Sequence, residues 1–144
     1  MFYWDTSTLA KLYVSEPDSG LFETHLADTG PAVTSELTRW ELFRVAARKE
    51  AQGFISEGKA EIVFSKFLAD VLAGKITLVP FDETVESRYR DLVLRLHRLK
   101  PPIATRTLDC IHIATAELIG AKEIVLTDTG LRKAASALGL KVFP

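Results

Sequence analysis

Apolar residues along the chain recur in two rhythms: short solid runs, and longer stretches in which every third or fourth position is apolar. The runs Phe2-Tyr3-Trp4, Pro31-Ala32-Val33-Thr34, Ile76-Thr77-Leu78-Val79, Glu123 to Thr127 and Lys141-Val142-Phe143 are too short for helices and predict buried strands. The stretches between them predict helices. A short one runs from Asp5 or Thr6 to Val14, and Glu16-Pro17-Asp18 starts another that ends near Ala27. Ser35 caps a long helix from Glu36 to Gln52, stopped by Gly53. Ser56 to Ala73 is amphipathic through Ile62, Val63, Phe67, Val71 and Leu72. Asp82 caps a helix to His97, Thr107 begins one ending near Gly120, and Thr129 to Leu138 is the last. Arg98 to Arg106, with Pro101-Pro102 inside, reads as a loop. Strands alternating with helices predict an α/β fold, with a mainly parallel sheet and helices on both faces.

Sites in such sheets form beyond the carboxyl ends of the strands. Asp5 stands at one such end, directly behind Phe2-Tyr3-Trp4, and Asp128 stands at another, in IVLTDTG. Either could simply cap the helix that follows. Asp109 lies in TLDCIHIATA, and its helical neighbours His112, Ile113 and Ala116 do not form a solvated face. A carboxylate there is costly without a positive partner, although its place near a helix start also suits the helix dipole. Glu41, in SELTRWELFRVAARKE, has Arg44 and Arg48 on its own face, so a surface salt-bridge stripe is its ordinary explanation. Glu36 is turned about 140° from Glu41 and reads as a helix-start charge. As a set, these acids can converge on one cleft. Clustered carboxylates repel and need cations, and oxygen ligands select magnesium or manganese over zinc.

Composition narrows the picture further. The chain has 144 residues, 47% hydrophobic and 26% charged, which predicts one domain over 1–144 with a core of its own. No apolar run approaches a membrane span, and no leader pattern is present. Cys110 is the only cysteine, which excludes an intrachain disulfide and thiolate zinc sites and fits a reducing cytoplasm. A net charge of −1 argues against coating nucleic acid by bulk positive charge, but leaves room for a local basic rim. The stretch RLHRLKPPIATR supplies Arg95, Arg98, Lys100 and Arg106 with no acid among them, a candidate phosphate rim. His25, His97 and His112 fall on three different predicted helices and read as packing or surface residues.

The order of these motifs resembles the PIN-domain nucleases, and within them the VapC-type toxins of toxin–antitoxin pairs. FYWDTSTLAKLY resembles the family's opening motif at Asp5 and Ser7, TSELTRWELFRV its second at Glu41, LDCIHIATA its third at Asp109, and LTDTGLRKAASALGLKV its last at Asp128. Thr127 and Asp128 are adjacent here, where the family usually has one residue between. The resemblance implies a PIN-like three-layer fold and a magnesium- or manganese-dependent endoribonuclease, with the metal held by Asp5, Glu41, Asp109 and Asp128 and with Ser7 in support. It also implies RNA as substrate, a cognate antitoxin as partner and pairing as homodimers. The alternatives are a non-toxin nuclease or a catalytically silent binding module on the same fold. More distant is a phosphatase of the haloacid dehalogenase type. That type wants a second Asp two residues after the first, where Ser7 stands. A phospho-acceptor receiver domain is disfavoured, because Asp5 stands alone and the third predicted strand ends Val79-Pro80.

Overall fold

A computed structural model describes residues 1–144. Alternation along the first strand sets its layering. In β1 (Phe2–Trp4), Tyr3 and Trp4 are both wholly buried, yet they enter two different cores, because successive strand side chains point to opposite faces. In β4 (Glu123–Val125) and just beyond it the same alternation sends Ile124 and Leu126 to the Tyr3 side and Val125 to the Trp4 side. With β2 (Ala32–Ser35), β3 (Ile76–Val79) and β5 (Val142–Phe143) these form one sheet in the order β3-β2-β1-β4-β5. Every neighbouring pair is parallel, with Tyr3 opposite Val33 on one side and Ile124 on the other.

Parallel strands bury both faces, and helices supply the cover. On the Trp4 face lie α1 (Thr6–Ala10), α2 (Ser19–Thr29), α3 (Thr38–Ala51) and α4 (Lys59–Leu72), packed through Leu9, Phe22, Leu42 and Phe67. On the Tyr3 face lie α5 (Glu83–Arg98), α6 (Thr107–Leu118) and α7 (Thr129–Ala137), packed through Leu92, Leu96, Ile113 and Leu131. Burying each of these side chains contributes roughly 1.5–3 kcal/mol. The three-layer α/β architecture read from the sequence is the one observed, with the sheet wholly parallel.

Several boundaries differ from the sequence reading, each for a local reason. The helix expected from Glu36 begins at Thr38, because the Glu36 amide still donates to Val79 O at 2.8 Å and stays on the sheet. Ser35 caps from outside, its hydroxyl accepting the Leu37 amide at 3.3 Å. The helix expected from Glu16 begins at Ser19, since Glu16 is pinned by Lys49 at 2.6 Å and Lys11 at 3.3 Å. The helix expected from Ser56 begins at Lys59. Its Ala60 amide is capped across the turn by Glu50 Oε2 at 2.8 Å.

The chain leaves β1 toward β2 and β3 on one side and later returns to β4 and β5 on the other. The carboxyl ends of β1 and β4 therefore flank the point where strand order reverses, the usual place for a crevice. Asp5 follows β1, and Asp128 follows β4.

Candidate active site

The chain turns sharply after β1. The Asp5 amide extends the ladder by donating to Val125 O at 3.0 Å, and its side chain then caps α1, with Oδ2 accepting the Ser7 amide at 3.0 Å. The Ser7 hydroxyl donates to the same oxygen. Thr8 ties the turn to β4 by donating to the carbonyls of Asp5 and Val125, each at 2.9 Å. Asp5 is thus both cap and cleft residue, held at 7% exposure. Asp128 behaves alike after β4. Its Oδ1 accepts the Leu131 amide at 2.8 Å and caps α7, while the rest of the carboxylate faces the cleft.

Glu41 reaches the cleft from the first turn of α3. Its Oε2 accepts from Thr6 Oγ1 at 2.6 Å and lies 2.7 Å from His112 Nε2. These partners, rather than Arg44 or Arg48, hold it in place. Thr6, Thr34 and Thr38 form a buried hydroxyl chain beneath it, at 2.9 and 2.8 Å. His112, on α6, is 1% exposed, and its Nδ1 meets the Tyr3 hydroxyl at 2.6 Å. That hydroxyl in turn accepts the Ser35 amide at 3.1 Å. Burial disfavours the imidazolium, but the bond to Glu41 and the charges of Asp5, Glu41 and Asp109 outweigh it, so the His112 pKa is raised. Burial likewise pushes Glu41 up, yet His112 and Thr6 hold it below the usual carboxylate range. The Tyr3 phenol is pushed far up by burial and by Asp5, and stays neutral.

Asp109, in the first turn of α6, takes a charge-assisted bond from Arg106 Nε at 2.8 Å. Arg106 Nη2 also stands 3.9 Å from Asp128 Oδ2. A guanidinium thus pairs with the acids from the exposed rim of the site. Asp5, Ser7, Glu41, Arg106, Asp109 and Asp128 all line one open cleft of about 550 Å³. As placed, no three His, Cys, Asp or Glu side chains close tightly enough to grip a metal ion. The donor set is nevertheless all oxygen, and it already attracts a cation, so the cleft fits a hard divalent ion.

Of the sequence-read rim, only Arg106 lines the cleft. Arg95 is bound to Glu117 and sits 2.9 Å from Asp91, while Arg98, the last residue of α5, and Lys100 just past it are exposed. Thr6, Thr38, His112, Tyr3, Arg44 and Trp40 were not among the expected site residues. His112 had one signal, its place one helical turn beyond Asp109.

The PIN-domain pattern matches residues 2–137. Ribonuclease VapC46 of Mycobacterium tuberculosis is 32% identical over 143 residues, covering 97% of this chain and 94% of that protein. The fold is similar to that of FitAcB from Neisseria gonorrhoeae, with TM-score 0.72 and 21% identity over 100% of this chain and 97% of that one. It is also similar to a toxin–antitoxin complex from Klebsiella pneumoniae, with TM-score 0.59 and 19% identity over 90% and 88%. With sequence, fold and the order of the acids in agreement over nearly its whole length, the chain belongs to the PIN-domain family, on its VapC-type branch.

Proposed function

We propose that this protein is a metal-dependent endoribonuclease and the toxin of a toxin–antitoxin pair. Its place on the VapC-type branch implies divalent-metal catalysis and ribonuclease chemistry. The observation that carries the reading is the single cleft lined by Asp5, Glu41, Asp109 and Asp128 at the strand-order reversal, with Arg106 paired to Asp109 at its exposed rim. Asp5, Asp109, Glu41 and Asp128 are the residues that would hold magnesium or manganese. When bound, such an ion supplies an activated water for in-line attack on a phosphodiester and offsets charge on the phosphate and leaving oxygen.

The protein's own part is positioning and charge. Ser7 engages Oδ2 of Asp5, which leaves Oδ1 for the cleft. Thr6 and His112 fix Oε2 of Glu41 and leave Oε1 similarly available. Arg44 and Arg106, lining the same cleft, hold the RNA backbone against an otherwise acidic floor. Ser7 also argues against the phosphatase reading. Where that chemistry wants a second aspartate, it offers a hydroxyl already bonded to Asp5.

The proposed site of action is the cytoplasm, the assembly a homodimer, and the partner a small antitoxin; the similar Klebsiella pneumoniae structure is itself a toxin–antitoxin complex. A mixed RNA pool incubated with the protein and magnesium or manganese, with new ends then sequenced, tests the activity. Discrete new ends are expected with metal and none in excess EDTA. Cleavage undiminished by EDTA would overturn the metal mechanism.

A further inference from the structure

The two tryptophans of this chain lie in opposite surroundings. Trp4 is wholly buried in the sheet, whereas Trp40 is 64% exposed on the first turn of α3. The core side of α3 is supplied by Leu42 and Ala46, at 0% and 1% exposure, so Trp40 is not needed for packing. A single exposed aromatic is ordinary on a protein surface. This one lines the acidic cleft, immediately before Glu41 and one helical turn before Arg44, which lines it too. Leu108 does so from α6, at 46% exposure. The cleft therefore has an acidic interior, with Asp5 at 7% exposure, and an apolar and cationic margin.

We propose that Trp40 is a base-stacking platform: an unpaired nucleobase beside the scissile phosphate lies on the indole while Arg44 and Arg106 hold the flanking phosphates. The inference rests on the nuclease reading and adds the class of RNA that the site takes. Aromatic side chains bind single strands because every base offers a π-face, and an adjacent guanidinium supplies the phosphate contact. In an A-form duplex the bases are already stacked on one another, so a platform at the cleft margin selects unpaired nucleotides. A protein partner seated on Trp40 is the competing occupant. The charge of the margin favours RNA, since two guanidinium groups share it with the indole.

Indole fluorescence tests this directly. Trp4 is sealed from solvent, so quenching by RNA reports on Trp40. Asp5→Asn protein, chosen so that RNA is bound and not cut, is titrated in magnesium with a short single-stranded RNA of mixed sequence, and separately with its duplex. The single strand is expected to quench and the duplex is not. Followed instead by the anisotropy of end-labelled RNA, adding Trp40→Ala should weaken binding about 10- to 100-fold, and Trp40→Phe should restore most of it. In the otherwise native enzyme, Trp40→Ala should raise KM far more than it lowers kcat, with the melting temperature unchanged. Unchanged RNA affinity in Trp40→Ala overturns the proposal. So does a Trp40→Ala protein that keeps its RNA affinity and loses its antitoxin, because the indole then serves the protein partner. Cleavage by the native enzyme with Trp40→Ala indistinguishable from it removes only the platform, while native protein that neither binds nor cuts RNA takes the nuclease reading down as well.

Discussion

At 1% exposure the His112 ring has no water to share, so both its nitrogens need protein partners, and Tyr3 and Glu41 are those partners. Its raised pKa gives stability that is fully present below the ordinary histidine value of 6.5 and lost as pH rises through the folded value. The lowered Glu41 gives stability present above its ordinary value of 4.5 and lost as pH falls through the folded value. Both contributions are therefore whole between those two ordinary values. Without metal, His112→Leu is expected to cost about 1–3 kcal/mol there, since it leaves Tyr3 and Glu41 short of a partner. The gap in melting temperature from wild type should narrow in alkali, and a gap constant up to about pH 9 would mean that the pair carries no charge. Glu41→Gln is expected to lower cleavage at least 10-fold, roughly the effect of removing one positioned charged group. Glu36→Gln should cleave like wild type, because Glu36 does not line the cleft; rates measured side by side decide it, and the reverse pattern would refute the helix phase. Asp5, Asp109 and Asp128 stand out in the sequence because a carboxylate at a strand end or in an apolar helix is anomalous, whereas Glu41, with Arg44 and Arg48 on its face, does not. His112 was read as a packing residue, because its partners stand 109 and 71 positions away and a single helix wheel cannot show them. Arg95 was read from local composition alone, which could not reveal Glu117 on α6.

Helices here start where their amides are satisfied, which is not always where the sequence offers a cap. For α4 the acceptor comes from the preceding helix, Glu50 Oε2, while the cap position itself is Gly58 in the left-handed conformation at φ 81°. Glu50→Ala should cost about 1 kcal/mol, or about 2–4 °C in melting temperature, and Glu50→Gln should retain most of that because an acceptor oxygen survives. An alanine variant as stable as wild type would mean that water caps Ala60 equally well. The same logic explains which boundaries were legible. Asp82 caps α5 locally, accepting the Thr84 and Val85 amides at 3.0 and 3.1 Å, and that start was read correctly. The starts of α3 and α4 depend on Val79 and Glu50, so no local pattern announced them.

For the whole molecule, the wholly parallel sheet brings together acids that are far apart in sequence. Asp5→Asn removes one charge and keeps a capping side chain, since asparagine caps as well as aspartate. Expressed in cells, that variant should no longer arrest growth, yet it should still co-purify with the antitoxin. Growth arrest as strong as wild type would end the nuclease assignment, whereas a harmless variant that loses its partner would place the binding energy in the cleft itself. The central position of β1 has a consequence for the moment of synthesis. Asp5 leaves the ribosome first, but its backbone is fixed by Val125 of β4, and Asp128 comes later still. A nascent chain therefore carries no assembled cleft until the segment through Asp128 has emerged. Fragments that end before Glu123 should be inert, because they lack the strand that fixes Asp5.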